Sequence, residues 1–289
     1  MMRGGKSRGF VCAVVVVTFW GLTCVFPATA TITTMGDIVP AYDDVTDPWV
    51  LSSDLTIGQD ADAAIWVAGG SQIQEDIPGH YTSVIAAGAD VTACATVSGA
   101  DSVWGVFVMV GGYGNGTMTV ENGALLDTGG IWAGTEAGSI GNVLLTGPGT
   151  IWQGEAESKI SIDGDPVDPN EGYQHYVRAH IGNHGTGSLT VSDGARVVSD
   201  GGSVYLGYFA DGVGSLTVTG PNSVWEETGE IRIGHLGTGT LLISDGGVVN
   251  STGTANIGNW PAGVSRGSAT VTDPGSLWRI DGGLYVGGA

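Results

Sequence analysis

The sequence predicts an all-β chain folded as a right-handed, single-stranded parallel β-helix, a solenoid of about nine coils of ~25 residues. Three observations predict it. A short motif recurs along the chain at a nearly fixed interval. Each copy carries short apolar strands with period-two alternation, too small to bury one face alone. Glycine, 52 of the 289 residues, gathers at the ends of those strands, where corners call for positive φ.

The clearest copy of the first strand is Gly187-Ser188-Leu189-Thr190-Val191-Ser192-Asp193-Gly194. Its successors begin at Gly214, Gly239 and Gly267, at intervals of 27, 25 and 28 residues. Earlier copies begin at Ile65, Ala95, Gly116 and Gly141. A second short strand ends each coil on glycine, as in Leu55-Thr56-Ile57-Gly58, Val108-Met109-Val110-Gly111, Val204-Tyr205-Leu206-Gly207 and Ile231-Arg232-Ile233-Gly234. Val84-Ile85-Ala86 is read as the same segment without its glycine, with Ile85 in the middle place.

Two coil types alternate. One carries Ser-Asp-Gly or a relative after its first strand. The other carries Gly-x-x-Ser/Thr-x-Trp, ending at Trp104, Trp152, Trp225 and Trp278. Trp49 is read as an earlier remnant, because nine residues separate it from Gly58, as nine separate Trp225 from Gly234. No helical period of useful length follows residue 30. An antiparallel sandwich or propeller is the alternative architecture, and a pair of coils approaches the ~40–50 residues of a propeller blade.

The organisation follows. Residues 1–30 read as a secretory signal peptide: Arg3, Lys6 and Arg8 are the basic region, Phe10 to Phe26 the apolar run, and Ala28-Thr29-Ala30 the small-residue cleavage site. An uncleaved membrane anchor is the alternative for this segment. Residues 31–44 are a linker or N-terminal cap, and 45–289 the repeat domain, with an acidic insertion at 155–178. Cleavage leaves only Cys94 of the three cysteines, so no internal disulfide is expected.

Charge narrows the function classes. Nine basic residues face 29 acidic ones, for a net charge of −20. Removing three basic residues with the signal makes the mature chain −23. Such a surface repels nucleic acid and anionic lipid, and no membrane insertion is expected after cleavage.

The coupled motifs Gly-x-Leu-Thr-Val-Ser-Asp-Gly, Leu-Thr-Val-x-Gly-Pro-x-Ser-x-Trp and apolar-x-Ile-Gly resemble a repeat shared by type V (autotransporter) secreted proteins and PEP-CTERM proteins of bacteria. The resemblance covers roughly residues 45–289, most clearly 181–289. It implies a β-helical passenger at a bacterial surface, and supplies no catalytic residues. Such proteins usually end in a barrel translocator or a sorting anchor; neither is found before Ala289, so a fragment is the favoured reading.

The expected function is therefore a secreted or cell-surface structural passenger, adhesive through one face, with a surface glycan or extracellular-matrix ligand as partner. The alternative is a polysaccharide-degrading β-helix enzyme, a lyase or glycoside hydrolase. An enzyme is not the expectation, because the basic residues are scattered and repeat aspartates such as Asp193 and Asp245 fall at corners. No cofactor is expected. Asp163, Asp165, Asp168 and Glu171 in the insertion are a speculative Ca²⁺ set, without EF-hand spacing; a solvated acidic loop is preferred. His175, His180 and His184 read as surface histidines. The candidate ligand face is the middle, outward residue of successive closing strands: Met109, Trp132, His180, Tyr205, Arg232, Asn256 and Tyr285. Equivalent residues should form a column ~4.8 Å per step.

Overall fold

The computed structural model describes residues 30–42, 47–77, 79–154, 177–258 and 265–287. All its regular elements are strands, and they form a parallel β-solenoid with three faces. Each coil contributes a long strand, a tryptophan strand and a closing strand. In one coil these are Thr186–Ser192, Arg196–Ser199 and Ser203–Leu206. Stacking gives a long-strand sheet, a tryptophan sheet and a closing sheet of nine, nine and ten strands among the described residues.

Register between coils is strict on the long-strand face. Leu189 pairs with Val143 on one side and Leu216 on the other; Val191 pairs with Leu145 and Val218. These residues point inward and are buried, whereas their neighbours Thr190 and Thr217 face out. One continuous apolar core runs from Ile32 to Val249. Continuity of this core is what a single coil lacks and a stack provides.

The two coil types now have a physical cause. On the tryptophan sheet the inward column reads Trp49, Ile73, Trp104, Leu126, Trp152, Val197, Trp225, Val249 and Trp278. An indole is wider than the ~4.8 Å rise of a coil, so a smaller side chain must intervene. Trp152 and Trp225 lean toward each other past Val197, ring centroids 5.7 Å apart and nearly perpendicular. Trp49 belongs to this column, as its spacing predicts.

The hydroxyl two residues before each tryptophan couples the types. Ser102, Thr150, Ser223 and Ser276 accept the amides of Gly70, Gly123, Gly194 and Gly246 one coil back, at 3.0–3.1 Å. Those glycines stand at the second place of tight corners such as Asp193-Gly194, with φ of 54° and 86°. Positive φ at both positions explains Asp-Gly or Asn-Gly there. The next coil then satisfies the amide that the corner exposes.

A second glycine contact shapes the return corner. Gly182, at φ +71°, closes one coil; a Cβ there would lie 2.1 Å from the Val213 carbonyl oxygen. At Gly187 it would lie 2.3 Å from the Gly182 amide nitrogen. The backbone packs this closely around the corner only because both residues lack a side chain.

At the N-terminal end, Thr31–Gly36 and Ile38–Val39 pair antiparallel to Ala63–Ala68 and Leu55–Ile57. Ile32 and Ile38 are buried on the first coil.

One expectation of the register is corrected. Val84, not Ile85, occupies the outward column, pairing with Thr56 and Met109; Ile85 pairs with Ile57 and Val110 and is fully buried. Ala86 takes the glycine's place there, at φ +58°, so the sequence marker of the register is missing. Cys94 is disulfide-bonded in the uncleaved chain; the expectation of no internal disulfide concerns the chain after cleavage. Among the described residues no helix is long and apolar enough to cross a membrane.

Candidate functional site

The seven predicted face residues do form one column. Met109 pairs with Trp132, Trp132 with His180, and His180 with Tyr205; Arg232, Asn256 and Tyr285 continue it. Their strand neighbours Ile131, Ala179, Val204 and Ile231 point inward and are fully buried. The column is therefore outward with respect to the coil.

It is not an open platform along its whole length. Trp132, His180 and Tyr205 are buried, at 4%, 0% and 8% exposure. This overturns the surface reading of His180. The cover is the corner that follows each closing glycine. Tyr208, one residue past Gly207, stacks on His180 with centroids 4.4 Å apart. His235, one residue past Gly234, stacks on Tyr208 at 5.2 Å. Trp132 stacks on the other side of the column against His180, at 5.3 Å, and Phe107 meets Trp132 edge-on. Tyr205 stands edge-on to His180, Tyr208 and His235. Such offset and perpendicular pairs add to the burial of each ring.

The polar end follows. The Arg232 guanidinium lies 5.4 Å from the Tyr205 ring centroid and bonds the Glu230 carboxylate at 2.7 Å. Asn256 donates to the same carboxylate. Burial works most strongly against the Arg232 charge, but the Glu230 hydrogen bond together with the charges of Tyr205, Glu230 and Tyr208 outweighs it, and the pKa is raised. Tyr285, at 52% exposure, is the last described member of the column.

Electrostatics in the closed part are unusual. Burial pushes His180 down to about 3, against a hydrogen bond to Asn183 that favours the cation and with a small push from His235. His235 falls to about 4, through burial and the Arg232 charge, partly opposed by Glu230. Burial raises the Tyr205 and Tyr208 phenols. The His180 Nδ1 lies 3.2 Å from the Asn183 Oδ1, an acceptor, so Nδ1 carries the proton. The Nε2 of His180 and the Nε1 of Trp132 are buried without a hydrogen-bond partner among the described residues. Neutral imidazoles stacked among rings suit adhesion between coils more than proton transfer.

The other candidates separate. His184 stacks on Phe209 at 4.0 Å and bonds Asp211 at 2.9 Å, away from His180's stack. Asp163, Asp165, Asp168, Glu171 and His175 lie outside the described residues. Among the described residues no three His, Cys, Asp or Glu gather as a metal site. Asp193 and Asp245 stand at corners, accepting from Thr146 and Thr219 at 3.0 and 3.3 Å. Sequence reasoning missed Tyr208, Asn183 and His235 as cover; the signal was their shared place directly after the closing glycine. It also missed Glu227, a buried acid in the inward place held by Ser199 and Ser251 in adjacent coils. Its oxygens accept the Gly229 amide at 2.8 Å and the Trp225 indole at 3.4 Å, which makes it a corner brace.

No protein-family model matches the chain, and no curated protein or solved structure matches it.

Proposed function

We propose that the chain is the structural passenger of a secreted or cell-surface protein. The observation that carries this reading is the single register of the stack: side chains that would make a site in a globular protein are used here to brace one coil on the next. Trp225, Glu227, Ser223 and the His180–Tyr208 pair all serve that purpose. A core of this kind gives a stiff rod about 40 Å long at ~4.8 Å per coil. Its net negative charge keeps it dispersed and away from nucleic acid.

Contact with a surface glycan or matrix ligand belongs to the polar part of the column. Tyr285 offers an aromatic face there, beside Asn256 and the Arg232–Glu230 pair. An exposed ring with neighbouring amide and charged groups suits a sugar.

Expression of the full chain with its own residues 1–30 in a bacterium, followed by protease accessibility on intact cells, tests the location. The expected result is a chain shortened at Ala30 and cut from outside or released to the medium. An uncut cytosolic chain would overturn the proposal. The enzyme alternative is tested on the same material with neutral and acidic polysaccharides, with and without Ca²⁺. Turnover abolished by one carboxylate substitution would replace the structural reading.

A further inference from the structure

The outer face of the long-strand sheet has a composition unlike the rest of the molecule. In four successive coils, from Thr186 to Thr272, it offers sixteen outward positions; thirteen are Ser or Thr, and the others are Val213, Leu242 and Arg266. Arg266, at the start of its strand, is the one charge among them and none is acidic, on a chain of net charge −20. The strands pair residue for residue, so Thr190, Thr217, Leu242 and Thr270 form the central column.

The hydroxyls divide into two sets. Some of the flanking ones are braced: Ser192 donates to Thr146 at 3.0 Å, Ser244 to Thr219 at 2.9 Å, and Ser188 to Asn142 at 2.6 Å. Those of Thr190, Thr217 and Thr270 make no hydrogen bond to the described residues. The central hydroxyls thus share one column, interrupted at Leu242, each beside its own methyl group, on a sheet held in residue-for-residue register.

Spacing identifies what such a row fits. Coils repeat at ~4.8 Å, and alternate residues of a strand at ~6.7 Å. Tetrahedral water with O···O near 2.75 Å has second neighbours about 4.5 Å apart and a layer repeat of about 7.3 Å. Both repeats agree to about a tenth. A sugar polymer would call for aromatic faces, which this block lacks. A second copy would need an apolar centre, and the outward apolar residues of the block are only Leu242 and, at its margin, Val213.

We propose that this face orders water in an ice-like lattice and thereby docks the chain on ice. The methyl groups exclude loose water, while the hydroxyls anchor the lattice at fixed points.

The test is ice growth in the presence of the purified full chain, read as recrystallisation inhibition and as partition of labelled protein into a growing ice front. The expected result is slowed recrystallisation and enrichment in ice. Both effects should be lost in Thr190→Lys with Thr217→Lys, and kept in Asn250→Lys, which places the same charge on the outer side of the tryptophan sheet. Thermal unfolding of each variant confirms folding, and Thr217→Val, which keeps shape and methyl groups, provides a milder second variant with reduced activity. An inactive native chain overturns the proposal. So does a folded double variant as active as the native chain, or binding to crystalline cellulose through this face without any effect on ice.

Discussion

The ring of Tyr208 lies 4.4 Å from that of His180, one coil away, and closes the outer column over a fully buried imidazole. This contact has a pH consequence. Folded His180 titrates at about 3 and His235 at about 4, both below the unfolded value of 6.5. The unfolded chain therefore takes up protons first as pH falls. Stability from these neutral histidines is full above pH ~6.5 and declines below it, levelling off only under the folded pKa values, with His180 the larger contributor at a scale of ~4 kcal/mol. Melting temperature measured from pH 7 to pH 4 should fall more steeply for the native chain than for His180→Phe. Equal slopes would contradict the burial argument.

Ser223 caps a corner that belongs to the preceding coil. Its Oγ accepts the Gly194 amide at 3.0 Å, and the residue is fully buried. Ser223→Ala leaves that amide unpaired and should cost ~1–2 kcal/mol in denaturant unfolding. Ser223→Thr should cost less, because Thr150 makes the same bond to Gly123.

Trp132 and Tyr285 share a column and differ in burial, at 4% and 52% exposure. Trp132→Ala removes a packed ring and should cost ~3–5 kcal/mol. Tyr285→Ala should change stability by less than ~0.5 kcal/mol. If a glycan binds the column, the Tyr285 variant loses affinity while staying folded. Unchanged glycan binding by folded Tyr285→Ala would remove this end of the column from the adhesive reading.

Much of this architecture is legible in the residues themselves. The interval of Gly187, Gly214, Gly239 and Gly267 predicts the stack, and the alternation of Trp225 with Val249 and Trp278 marks the paired coils. Both survive because local chemistry demands them: a crossing that admits no Cβ, and an indole wider than one coil. Register was lost at Ile85, where Ala86 adopts a conformation normally left to glycine. Membership of the outer column was also legible, from Met109 to Tyr285, because alternation along a strand fixes direction. Burial of that column was not. Alternation says which way His180 points, but whether Tyr208 folds over it depends on the path of a corner, which period-two patterning does not encode.

Alternation along the closing strands underlies every column assigned above, and Ile231–Gly234 tests it most directly. Ile233 points inward and is fully buried. Arg232 points out, paired with Glu230 and partly exposed. Urea unfolding of Ile233→Ala should show a loss of ~2–5 kcal/mol. Arg232→Ala should lose about 1 kcal/mol or less, the scale of one partly screened ion pair and a ring contact. A larger loss for Arg232→Ala than for Ile233→Ala would contradict the assigned register and, with it, both faces of the rod.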